Sequence, residues 1–110
     1  MSEARLTSAM LVSALVRRAH QAGGFAAVLA RGDETSGALL IQAAEKGAVS
    51  GLFERSLDLS GGYSWRRTGP QDPEKIDEIG KYLERRRASD PDLWIVELDI
   101  ADAERFIVES

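Results

Sequence analysis

A chain of 110 residues with 44% hydrophobic and 29% charged side chains has the size and balance of one folded domain, which excludes a second core and a disordered composition. It contains no cysteine, and that removes disulfides, thiol catalysis and every zinc site built on thiolates. The net charge of −4 is gathered at one end, where residues 90–110 set Arg105 alone against Asp90, Asp92, Glu97, Asp99, Asp102, Glu104 and Glu109; this reads first as a solvated edge and terminus, with an acidic segment that repels nucleic acid or covers a basic surface as the alternative.

The opening Met1-Ser2-Glu3-Ala4-Arg5 lacks the basic start and apolar run of a secretory signal. The longest mainly apolar run, Ala9 to Val16, is interrupted by Ser13 and falls far short of the roughly 20 residues a membrane helix needs. A soluble, cytoplasmic protein is the expectation.

Leu11, Val12, Leu15, Ala19 and Ala22 follow the three-and-four spacing of one helical face, while Ser13, Arg17, His20 and Gln21 fall opposite. With Thr7 as cap and Gly23-Gly24 as stop, this predicts a helix over 8–22. The period then changes. Phe25–Ala30, Ala38–Ala43, Ala48–Leu57 and Tyr63–Thr68 are short runs separated by glycine-containing turns, the pattern of an antiparallel meander. In the third run Val49, Phe53 and Leu57 alternate onto one face. Asp72-Pro73-Glu74 opens a second helix with a cap, a first-position proline and an acidic first turn. Its buried stripe is Ile76, Ile79 and Leu83, and Arg85-Arg86-Arg87 sit at its negative end. Ser89-Asp90-Pro91 stops it.

Leu93–Leu98 is the strongest strand signal, with Trp94, Val96 and Leu98 on one face; Trp94 is expected to cover the Ile76, Ile79 and Leu83 stripe. Ala101–Val108 fits a short helix or an edge strand. The order is α-β-β-β-β-α-β plus a short closing element. It defines one α+β domain over residues 1–110: a meander of four to five strands with two main helices packed on one face.

Chemistry-bearing motifs are sparse. His20 lies on the polar side of the first helix with no nucleophile to serve, so it reads as a surface histidine. Asp90-Pro91-Asp92 lacks the glycine turn and bidentate glutamate of a calcium loop and reads as a helix stop. Gly23-Gly24 ends a helix, the wrong polarity for cradling phosphate, and Gly61-Gly62 has no helix after it. Arg31-Gly32-Asp33 reads as a hairpin turn. No catalytic residue, metal site or cofactor is assigned. The cluster that stands out is basic and aromatic: Tyr63, Trp65 and Arg67 alternate onto one strand face with Arg66 opposite, as in sheet modules that stack bases and hold phosphates. Trp65, Arg66 and Arg67 are therefore the candidate nucleic-acid-binding residues, against which stand the negative net charge and the lack of a ribonucleoprotein motif.

Leu11–Arg18, Gly24–Asp33, Gly37–Ile41 and Asp90–Glu97, of which the Asp-Pro-Asp-Leu-Trp segment is the most specific, are similar, in order and spacing, to an uncharacterised bacterial family common in alphaproteobacteria, the domain of unknown function numbered fourteen ninety-one. The resemblance implies a short, stand-alone cytosolic protein and assigns no activity or site residue.

Three classes of function remain. An accessory or protein-interaction module without catalytic activity ranks first, acting on a protein partner or by homo-oligomerisation through an edge strand or apolar patch. A weak nucleic-acid or nucleotide binder using the strand around Trp65 is second. An enzyme with an unrecognised carboxylate or serine site is third.

Overall fold

Helix α1 (Ser8–Gln21) begins where Thr7 stands in extended backbone and its hydroxyl accepts the Met10 amide at 3.1 Å. It ends through Gly23, whose φ of +87° is open to glycine at no steric cost. In this computed structural model, which describes residues 6–57, 63–70, 73–75 and 77–110, α1 buries Val12, Leu15 and Ala19. Strands β1 (Phe25–Ala30), β2 (Leu39–Glu45), β3 (Ala48–Leu57) and β4 (Tyr63–Thr68) follow. The second helix is entered through a 3-10 turn at Pro73–Lys75 and runs as α2 from Asp77 to Ser89. Strand β5 (Trp94–Asp99) and helix α3 (Ala103–Val108) complete the chain, so the ambiguous last stretch is helical. The fold is α+β and its element order matches the one predicted.

The sheet differs from a meander. Its order is β1-β5-β2-β3-β4, with β5 antiparallel to β1 and parallel to β2. The last strand thus inserts between the first two, and Arg31-Gly32-Asp33 belongs to a crossover and not to a hairpin. The physical reason is apolarity on both faces of β5: Trp94, Ile95, Val96 and Leu98 are all buried, and a strand apolar on both sides belongs in the middle of a covered sheet. Only β2–β3 and β3–β4 keep the hairpin pairing of a meander. The β2–β3 turn places Lys46 and Gly47 at φ +53° and +83°, and Asp99 of the neighbouring β5 accepts both of their amides at 2.7 Å.

The helices are not on one face. Helices α1 and α3 cover a cluster containing Leu39, Ile41, Phe53, Trp94, Val96 and Leu98. Helix α2 covers the other side, where Ile79, with Tyr82 and Leu83, packs on Leu40, Leu52, Leu93 and Ile95. Trp94 is therefore buried beneath α1 and separated by the sheet from Ile79 and Leu83; Ile76, like Asp72 and the Asp58–Gly62 turn, lies outside the described residues. Register shifts also move side chains across. An irregularity at Ala43/Ala44 opposite β3 sends Val49 to the α2 side while Phe53 stays under α1, so the two do not share a face.

Candidate functional site

The strand that carried the nucleic-acid reading, β4, is one free edge of the sheet. Pairing of Phe53 with Arg67 and of Arg55 with Trp65 puts Tyr63, Trp65 and Arg67 on the α1/α3 side, as the alternation requires. Their partners are largely internal. Trp65 packs partly buried against the main core. The Arg67 guanidinium lies 5.2 Å from the centre of the Phe53 ring and pairs with Glu104 of α3. Arg55, held somewhat below its usual pKa by burial, stacks 3.7 Å from the Tyr63 ring. Arg66 is exposed on the opposite side. The structure thus brings Trp65 and Arg67 together and leaves Arg66 apart.

The other edge strand is β1, with no strand beyond it among the described residues, and it is of a different character. Phe25-Ala26-Ala27-Val28-Leu29-Ala30 contains no charged residue, and Phe25, Val28 and Leu29 are 55%, 39% and 51% exposed. Edge strands are normally guarded by charge, proline or a bulge. Strand β4 carries Arg66 and Arg67; β1 has only a register shift near its end, between Val28 and Ala30.

Beside β1 lies a groove of about 500 Å³, formed because α1 runs back along the strand that follows it. Ala9, Val12 and Val16 of α1 and Val28 of β1 give it apolar walls, and Trp94 closes its base. Arg17, His20 and Arg31 stand at its rim. The Arg31 guanidinium rests 5.0 Å from the centre of the Trp94 ring, a cation–π contact that orients it without neutralising it. Among the described residues no carboxylate forms an ion pair with Arg17 or Arg31, and no acidic side chain lines the groove. Arg18, the neighbour of Arg17, turns to the other side and stacks 5.6 Å from the ring of Phe106 in α3.

The base of this groove is tied to the crossover. Trp94 donates its indole N–H to the Asp33 carbonyl at 2.7 Å, and the Asp33 amide returns a bond to Asp92 at 3.0 Å. A Cβ at Gly32 or Gly37 would stand 2.1 or 2.2 Å from the Asp92 carbonyl oxygen, so the crossover fits against the Asp90–Asp92 corner only through glycine. Asp33 itself is held below the usual carboxylate pKa by the Ser36 and then the Thr35 amide.

A second cavity of about 530 Å³ lies between the start of α1, the crossover and the Arg55–Tyr63 pair. A helix N-terminus with a nearby arginine would suit an anion, but these amides are committed: Ser8 and Ala9 donate to Thr35 and Glu34, and Met10 to Thr7. Elsewhere, Asp90 accepts the Asp92 amide as a helix-stopping corner. Among the described residues no three metal-ligating side chains converge, and no helix is long and apolar enough to cross a membrane.

The β1 groove escaped the sequence because an edge is a property of topology. Its uncharged strand and flanking Arg17 and Arg31 were visible; that β5 would shield one side of β1 and leave the other open was not.

The geometry defines a small α+β domain with an uncharged edge strand and a helix-walled groove. The chain belongs to the family described as "Protein of unknown function (DUF1491)", whose model matches residues 6–108. It is similar to a DUF1491 family protein from Caulobacter crescentus CB15. The crystal structure of that protein gives a TM-score of 0.81 at 32% identity, covering 93% of this chain and 94% of that one; its NMR structure gives 0.78 at 30%, covering 96% and 94%. The solution structure of protein Atu0922 from A. tumefaciens gives 0.68 at 34%, covering 87% and 86%. No curated protein matches.

Proposed function

We propose that this chain is one small, non-catalytic protein-interaction domain that takes up an extended segment of a partner along the free edge of β1. The observation that carries the reading is the contrast between the two edges: β4 is guarded by arginines, while β1 is uncharged, exposes Phe25, Val28 and Leu29, and borders a groove through Val28. A strand added to β1 would satisfy open backbone groups and place alternate side chains between itself and α1. Helix α1 lines the groove from Ala9 to Gln21, a length of about 18 Å, which accommodates about five residues of extended chain.

Selection of a random octapeptide library on the immobilised protein tests this. Selected peptides should slow amide exchange within residues 25–30, and Val28→Arg should abolish capture, whereas Ser64→Lys on β4 should leave it intact. Peptides that protect no β1 amide would refute the reading.

A further inference from the structure

Resting on that reading, we infer that the segment taken up by the β1 groove is acidic: its side chains that face α1, at every second position, include aliphatic ones directed at Val12, Val16 and Val28 and one or more carboxylates directed at Arg17 and Arg31. The argument is one of charge complementarity. The protein as a whole is negative, at −4, yet the rim of this groove carries Arg17, His20 and Arg31 and no acid. Elsewhere Arg67 is paired with Glu104, Arg86 with Glu54 and Arg105 with Glu109, and Arg18 and Arg55 rest on the rings of Phe106 and Tyr63, away from this groove. Arg17 and Arg31 have no carboxylate partner among the described residues, and Arg31 is oriented by an aromatic ring, a contact that leaves its outward N–H groups free for a carboxylate.

The polar groups of the rim are also spread along the path of an added strand. His20 stands near Phe25 at the start of β1, with ring centres 6.2 Å apart. Arg17 is one helical turn earlier on α1, and Arg31 follows the last residue of β1. A carboxylate at any of several positions in the segment thus meets Arg17, Arg31 or the His20 imidazole over an apolar floor, where the interaction is less screened than at an open surface.

A second copy of this chain does not complement the site. Two β1 edges paired together would offer each groove only the uncharged side chains of Phe25–Ala30, and would bring two cationic rims toward each other. A single-stranded nucleic acid would supply charge, but its bases would meet the aliphatic walls of Val12, Val16 and Val28, with Trp94 at the base only 1% exposed.

The composition of the peptides captured by the wild-type protein is the first readout, and the binding of one captured acidic peptide against its asparagine/glutamine analogue is the second. Enrichment in aspartate and glutamate, with the amide analogue binding at least about tenfold more weakly, is expected. The difference should vanish in the Arg17→Gln/Arg31→Gln double variant, which should still bind the amide analogue. Captured peptides without acidic enrichment, or an analogue of equal affinity, would overturn the acidic assignment while strand addition at β1 stands. Failure to capture any peptide that protects β1 would overturn both. Concentration-dependent dimerisation in sedimentation, abolished by Val28→Arg, would assign the edge to a second copy and overturn the acidic segment as well.

Discussion

Trp94 shows how one side chain can organise a fold. It is 1% exposed, and it joins β5, the crossover and the underside of α1 through its ring, its indole N–H and the Arg31 stack. Trp94→Ala should destabilise the protein by roughly 3–5 kcal/mol, the range for emptying a large aromatic site, measured by denaturant unfolding. Trp94→Phe should retain most of the packing but lose the bond to the Asp33 carbonyl, costing about 1 kcal/mol or more; equal losses in the two variants would show that the indole N–H, and not the ring volume, dominates. Asp33 adds a pH-dependent contribution. Its pKa is lowered by the Ser36 and Thr35 amides, so the folded state favours the carboxylate. The stability it adds is present above its unfolded value, near 4, and is lost as pH falls through the lower folded value. Asp33→Asn should therefore lower stability at neutral pH and flatten the acid limb of the stability curve, whereas a curve parallel to that of wild type would show the turn to be energetically silent.

At the level of elements, α2 is attached to the sheet through a few well-defined contacts. Arg86 donates to both carboxylate oxygens of Glu54 on β3 at 2.9 and 2.8 Å and also to the Tyr82 hydroxyl, which in turn contacts Thr68 on β4. The Glu54 hydrogen bonds hold the Arg86 guanidinium above its usual pKa. Glu54→Ala should cost about 1–3 kcal/mol as a charge-assisted, two-pronged contact with partly buried partners. Gly80→Ala should act oppositely: a Cβ there meets nothing within 4 Å, so the change should stabilise α2 by about 0.5–1 kcal/mol, and a lower melting temperature would show that the α2 surface is engaged in some other way. Except for α3, whose stretch fits helix or edge strand equally, the existence and type of the helices and strands were legible in the sequence because each carries its own period and caps: Thr7 for α1, the 3.6-residue stripe of Val12, Leu15 and Ala19, and the alternation of Tyr63, Trp65 and Arg67. The strand order was not. Hairpin chemistry around Arg31-Gly32-Asp33 is local, whereas the force that separates β1 from β2 is the need to bury both Trp94 and Ile95, a non-local demand made by residues more than 60 positions further along. The same holds for the site. The basic-aromatic strand announced itself by composition, while the β1 groove exists only once β5 has taken its place.

Across the whole molecule the charges are arranged so that the acidic C-terminal segment is used structurally, and this bears on nucleic acid. Glu97 accepts the Gln42 amide at 2.9 Å, Asp99 closes the β2–β3 turn, and Glu104 of α3 takes Arg67. Helix α3 and its carboxylates lie on the same side of the sheet as Trp65 and Arg67, so a polyanion approaching that strand meets Glu104 before it meets a free guanidinium. Trp65, packed partly buried against the core, offers less than a full ring face for stacking. Binding of single-stranded DNA or RNA at physiological salt should therefore be no tighter than the non-specific range of about 10⁻⁴–10⁻⁶ M. Titrating the protein with mixed-sequence oligonucleotides while following tryptophan emission measures this, with Trp65→Phe supplying the background from buried Trp94. Glu104→Gln should strengthen whatever residual binding exists and steepen its salt dependence, because it releases Arg67 to neutralise a phosphate. Saturation tighter than micromolar that weakens with salt, and that Trp65→Ala and Arg67→Ala both remove, would instead establish β4 as a nucleic-acid surface and displace the β1 edge as the functional face of the molecule.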